Sequence, residues 1–495
     1  MIRCPALADE LPALPSQSAS GSTKLTRPDL RDRVCRLPAC VRGSKQRLRS
    51  MLLCAVGATL MTSVAMAGCT WYVSPLGGYR GRGPQYPTTL QRVILKTQPG
   101  DVVCLEAGTY SVDTPFGLYH SGTPTHWITY TTFRKAAAVL IPNSGNGPLL
   151  LVGATTQYLE INGLEFDGQN TADTAISCSG CDHLRVIGNK IRNTGSSGII
   201  TYKDRNSGKT PDYITIDHNQ VYHGGYNQGF GSGISLSRHA WSDRYPGFHS
   251  FVTNNIISGM YDNSVHQSEG NGIVMDDQAG DDTPPVLIAN NVIYQNGRRC
   301  MISRYASRIW MVNNTCYKNN LARQAGEFQF YLTTENYAVN NLSYGWYDRN
   351  PYLDAKPLVQ NHYLYNQWTS SGTGQPQVVP PGLVNDPAAL KHADPLFVNP
   401  PDVSATGQGQ YHNALPPDLI TDHFYLQTGS PAIAAGIDPT TIPGISGEII
   451  SGLRTYIFTD IEGHARHPGS SFDLGAYAYT GGAPNPPGGL TTAVH

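Results

Sequence analysis

One short pattern recurs six times between residues 186 and 342: two or three apolar residues, then Asn, then another apolar residue. Its copies are centred on Asn189, Asn219, Asn255, Asn291, Asn314 and Asn341, at steps of 30, 36, 36, 23 and 27 residues. A repeat with a shared minimum and a variable excess suits a solenoid whose coils differ by loop insertions on one face. The alternating Val, Ile and Leu supply inward strand positions. Asn tolerates the left-handed backbone of a tight bend and can bond to the Asn of the next coil. Stacked coils then form parallel sheets, and the Asn row is structural rather than catalytic. The glycosylation-like triplets at Asn313 and Asn341 fall in the same bends and are read as bend chemistry, not as sugar attachment.

Further motifs carry a resemblance. The stretch around Trp71-Tyr72-Val73-Ser74-Pro75 and then Pro99-Gly100-Asp101-Val102-Val103-Cys104 resembles the opening of right-handed parallel β-helix proteins, with a short helix at about 88–97 capping the first coil. Asp394-Pro395-Leu396-Phe397, Gly429-Ser430-Pro431-Ala432-Ile433 and Asp473-Leu474-Gly475-Ala476-Tyr477 resemble the choice-of-anchor Q module of bacterial surface β-helices. The resemblance implies an all-β right-handed parallel β-helix, pectate-lyase-like, with an N-terminal helical cap and an irregular C-terminal module. Carbohydrate chemistry follows from it by association only.

The expected organisation is a leader and signal peptide at 1–67, the cap and first coils at 68–150, the helix core at 151–350, C-terminal coils and module at 351–482, and a disordered tail at 483–495. Basic residues precede the apolar run 51–64, which ends in Ala65-Met66-Ala67, the order of a secretory signal. The chain is read as a secreted monomer with no membrane span, the apolar run being too short. Because Met66-Ala67-Gly68-Cys69 approximates a lipobox, a lipid anchor at Cys69 is the alternative. A solenoid lengthens by adding coils, so 495 residues need no division into separate cores.

Export changes the charge. The whole chain carries a formal net −1, but residues 68–495 keep 25 Lys and Arg against 32 Asp and Glu, a net of −7. No nucleic-acid partner is expected. An acidic polysaccharide would be repelled unless a cation or a local basic patch reverses the field. Six cysteines remain after position 67: Cys69, Cys104, Cys178, Cys181, Cys300 and Cys316. An even number suits an oxidising compartment. Cys69 with Cys104 is a reasonable bridge, and the closely spaced Cys178 and Cys181 are read as closing a bend.

Aligning four segments from their repeats places Ile199, Ile234, Ile273 and Met301 inward. One outward column then reads Tyr202, Ser237, Asp276, Arg304, with Lys203, Arg238, Asp277 and Tyr305 beside it. For β-elimination of a uronate, Arg304 or Arg238 would neutralise the sugar carboxylate, Lys203 would take the α-proton, and Tyr202 or Tyr305 would serve the leaving oxygen. Asp276, Asp277 and Glu269 are the expected Ca²⁺ ligands, with Asp281 and Asp282 further candidates. Tyr202, His239, Trp241 and Tyr245 are the expected polysaccharide contacts, the last three in or beside the insertion 240–248. The dense Asp cluster of calcium-dependent, lysine-base pectate lyases is missing. The leading reading is therefore a lyase on an acidic polysaccharide, with a glycoside hydrolase using paired carboxylates and a non-catalytic exopolysaccharide-binding protein as rivals. A surface ion pair between Asp276 and Arg304 is the competing structural account of those two residues.

Overall fold

The computed structural model describes residues 68–225, 231–262, 269–280, 283–321, 327–331, 333–345, 362–370, 393–401 and 424–481. The expected signal peptide and tail, together with His266, Asp281 and Asp282, lie outside the described residues.

Period-two alternation along each coil builds three strands separated by bends. One coil runs through Asp212–Asp217, Gln220–Gly224 and Ser232–Ser237 before the next begins at Ser250–Thr253. Each strand pairs in parallel with its counterpart one coil on. Among the described residues the strands accumulate into an eleven-stranded sheet A, which opens at Trp71–Val73, a ten-stranded sheet B, which opens at Gly108–Asp113, and an eight-stranded sheet C, which opens at Gly117–Leu118. The chain is an all-β right-handed parallel β-helix. The helix Leu90–Val93 buries Leu90 and Val93 against the first coil, within the span expected of the cap.

The Asn row forms as a buried ladder. Asn189 Nδ2 donates to Asn219 Oδ1 at 3.0 Å, and the same step repeats through Asn255, Asn291, Asn314, Asn341 and Asn366 at 2.9–3.0 Å. Each receiving oxygen also accepts the backbone N–H of the Asn before it. The left-handed backbone falls one residue earlier, at Gly188, His218, Asn254, Asn290, Asn313 and Asn340. The two tasks expected of one Asn are thus divided between neighbours. Asn313 and Asn341 are fully buried, so neither side chain is available for sugar attachment.

A second column explains the Gly-Ile repeats. A Cβ at Gly198, Gly233 or Gly272 would lie 2.3–2.4 Å from Val221, Ile257 or Ile293 on the facing strand of sheet B. In the next coil the same two positions are Cys300 and Cys316, and they are joined by a disulfide. Cys69 is bonded to Cys104, and Cys178 to Cys181. The first bridge uses the sulfur that a lipid thioether at Cys69 would need.

The C-terminal segment returns along the solenoid. Helix Gly447–Tyr456 sets Ile449 and Leu453 against Phe248, Leu287 and Trp310 on the outer side of sheet A. Phe424, Leu474 and Tyr477 cover Val292, Tyr294 and Tyr317 on sheet B. Asn290 Nδ2 donates to the carbonyls of Tyr456 and Thr459, Asn340 exchanges two bonds with Ile437, and Ala476 N–H donates to Thr315 Oγ1. No described helix is long and apolar enough to cross a membrane.

Candidate functional site

The outer face of sheet C has the expected register. Ile199, Ile234, Ile273, Met301 and Phe328 stack inward, and Ser237, Asp276, Arg304 and Tyr331 stack in the outward column, with Tyr202 one coil before Ser237. Val274, Ile302 and Gln329 in the middle of the face are buried, while Arg304 at its far end is 45% exposed. The accessible chemistry therefore lies where the strands of sheet C run out toward sheet A.

Arg304 Nη1 meets both oxygens of Asp276 one coil below, at 3.0 and 3.1 Å. Its guanidinium carbon lies 4.8 Å from the Tyr305 ring centre. Strand periodicity would send Tyr305 to the opposite face from Arg304. Its φ of 52° keeps both side chains outside, and φ of 56° does the same for Arg238 after Ser237. Tyr305 in turn meets the Tyr331 ring edge-on at 5.6 Å. Arg238 is exposed, and its backbone N–H donates to the Asp276 carbonyl. Lys203 is exposed at the end of Ile199–Tyr202, and Tyr202 accepts a hydrogen bond from Ser177.

Register also divides the expected set. Coils are about 4.8 Å apart, so Lys203 and Arg304, three coils apart, are separated by roughly 14 Å along the axis. They cannot serve the carboxylate and the α-proton of one sugar. Lys203 and Arg238 form one cationic half, and Asp276, Arg304 and Tyr305 form the other.

At the other end of the same strand, Glu269 precedes Asn271–Gly280. Asn271 Nδ2 donates to Glu269 Oε2, and Glu269 N–H donates to Asp262. Burial pushes the Glu269 carboxyl up to about 7; Arg299 and Arg298 oppose this, and Asp276 and Asp262 add to it. The sequence reading missed Arg298, Arg299 and Asp262. The register that aligned Met301 with Ile273 also places Arg299 level with Asn271, to whose Oδ1 it donates its backbone N–H, so the signal was present. Among the described residues no three Asp, Glu, His or Cys side chains gather to hold a metal ion. Asp276 turns both oxygens to Arg304, so a calcium ion held there would have to displace the guanidinium. The side chain of Asp277 lies outside those described.

The insertion is organised from inside. His239, expected to touch substrate, is fully buried, with Nε2 2.6 Å from Thr201 Oγ1 and Nδ1 3.3 Å from Ser250 Oγ. Burial lowers its pKa to about 4. It is a neutral core residue because the chain turns inward directly after Arg238. Trp241 remains half-buried, edge-on to His249 at 4.7 Å, and Tyr245 is 43% exposed. An aromatic row runs along the neighbouring bend, with Tyr158, His183, Tyr213 and His249 at centroid spacings of 4.4, 4.7 and 4.3 Å. Its faces are spent on one another, which makes it a brace between coils rather than a platform for sugars.

Residues 174–343 match the family described as right handed beta helix region. No curated protein matches the chain in sequence. Among solved structures, a pectate lyase is similar at 16% identity over 83% of this chain and 96% of its own, with a TM-score of 0.49. An alginate lyase from Paenibacillus sp. is similar at 18% identity over 55% and 94%, TM-score 0.35, and a rhamnogalacturonan lyase at 16% identity over 67% and 91%, TM-score 0.37. At these identities the likeness is one of fold.

Proposed function

We propose that this is a secreted lyase that cleaves an acidic, uronate-containing polysaccharide by β-elimination at the far end of sheet C. The observation that carries the reading is the gathering of Lys203, Arg238 and Arg304 with Asp276 and Tyr305 along one edge of an otherwise acidic chain. Lys203 and Arg238 hold the carboxylates of neighbouring sugars, which local positive charge permits despite the net −7. At the reacting sugar the substrate carboxylate takes Asp276's place on Arg304, which acidifies the α-proton. The released Asp276 carboxylate removes that proton, and the Tyr305 hydroxyl protonates the departing oxygen. Trp241 and Tyr245 flank the bound chain. Three disulfides suit the oxidising space in which such a substrate is met, and the C-terminal segment acts as the anchor-like module.

A second reading has its own support. Glu269, raised by burial to about 7 and influenced by Asp276, is poised as a general acid with Asp276 as its ionised partner, the separation of roles a glycoside hydrolase requires. One assay separates the two. Residues 69–495 are mixed with polygalacturonate, alginate and other acidic glycans, with and without calcium. Ultraviolet absorbance of an unsaturated uronate product, lost in Arg304→Ala and Asp276→Ala by about a hundredfold or more, supports the lyase. New reducing ends without that absorbance, abolished in Glu269→Gln, support the hydrolase. Binding without turnover leaves the non-catalytic reading.

A further inference from the structure

The insertion 240–248 leaves sheet C directly after Ser237 and Arg238 and carries Trp241 and Tyr245. Three bonds pin it. Ser242 donates its backbone N–H and its hydroxyl to Asp212 Oδ2, both at 2.7 Å. The Tyr213 hydroxyl donates to Asp243 Oδ2 at 2.8 Å. His249 Nε2 lies 2.8 Å from the Tyr245 carbonyl oxygen while its Nδ1 lies 2.9 Å from both oxygens of Asp212.

The last contact fixes a protonation state by geometry. A carbonyl and a carboxylate only accept hydrogen bonds, so both ring nitrogens of His249 must donate. A neutral ring has one N–H and would turn a lone pair toward either the carboxylate or the carbonyl. His249 and Asp212 are 1% exposed, so a lone pair turned toward the Asp212 carboxylate would be left facing it out of solvent. The titratable neighbours of the ring are Asp212 beneath it, Asp243 at 3.7 Å, His239, the stacked Tyr213 and the tilted Tyr245.

We propose that His249 is a positioning residue: its imidazolium clamps the insertion 240–248 against Asp212, and loss of the ring proton releases the loop and withdraws Trp241 and Tyr245 from the polysaccharide. The substrate half of this statement rests on the function proposed above. The clamp itself does not. Burial opposes the charge on His249, but its bonds to Asp212 and Tyr245 raise its pKa overall. The clamp is therefore complete below the ordinary imidazole value of about 6.5 and is lost as pH rises through the higher folded value.

The experiment uses the intact chain labelled with ¹⁵N-histidine. In the clamped form the His249 spectrum shows two N–H nitrogens. As pH rises, one is lost, and amide exchange across 240–248, corrected for its intrinsic pH dependence, accelerates about tenfold or more, as expected for losing one charge-assisted hydrogen bond. Ser242→Ala speeds exchange at every pH and leaves the transition in place. His249→Gln removes the transition; if that variant does not fold, the wild-type titration alone decides. A single N–H on His249 at low pH, or loop exchange with no break across the titration, overturns the clamp. Quenching of Trp241 fluorescence by polygalacturonate or alginate is followed over the same range. Quenching that fades with the clamp supports the substrate half, and a clamp that titrates without affecting any quenching overturns that half alone.

Discussion

Glu269 shows how one buried side chain can carry a stability signature. Its folded pKa of about 7 lies above the usual carboxylate value because burial disfavours the charge. The native state therefore holds a proton that the unfolded chain has already released, and stability falls as pH rises from the ordinary glutamate range of about 4.3 toward 7. Glu269→Gln should flatten that slope, as thermal denaturation at a series of pH values will show. Asn255 makes a sharper demand. It accepts two bonds from Asn219 and donates to Asn291 and to the Ile216 carbonyl, all out of water. Asn255→Ala strands several of these groups and should cost about 3 kcal/mol or more, read from denaturant unfolding. The Asn pattern was visible in the sequence because each copy repeats it. His239 was misread because nothing in a single histidine tells whether the chain after a strand continues outward or folds in.

At the scale of strands, the register of sheet C was legible to the residue. Gly-Ile recurs at 198, 233 and 272, and a strand with one buried face resists slipping, since a one-residue shift would exchange its faces. What the repeat concealed was its reason. The glycines are required because sheet B's Val221, Ile257 and Ile293 occupy the space a side chain would need. Gly272→Val should destabilise the helix by about 1–3 kcal/mol through overpacking, whereas Ser237→Val, at a half-buried outward position one coil before Asp276, should change stability much less; paired unfolding curves test both. Strand logic also fails at Arg238 and Tyr305, where left-handed backbone keeps consecutive side chains on one side. That local reversal, unreadable from alternation, brings the Arg304 guanidinium beside the Tyr305 ring.

Over the whole molecule, the solenoid was legible and the return of its C-terminal segment was not, because the contacts that hold that segment are scattered across more than 150 residues of sequence. Leu453 is fully buried between the helix Gly447–Tyr456 and the outer side of sheet A. Leu453→Ala should cost about 2–5 kcal/mol and expose Trp310 and Phe248 to solvent, a change that tryptophan fluorescence will register. The bridge between Cys300 and Cys316 closes a loop of 16 residues, worth about 3 kcal/mol, and its reduction should lower the unfolding midpoint accordingly.

The lacing of that segment to Asn290, Thr315 and Asn340 also sets how the protein bears load. A pull on the end of a bare solenoid peels one coil at a time, each rupture loading only the next. Here tension arriving through residues 437–476 is shared at once among three coils and directed across their strands, so those ties must yield together. A chain fixed to a surface by this end would resist drag as a sheared seam does, and its sheet C edge would stay aligned while a long polymer is drawn along it.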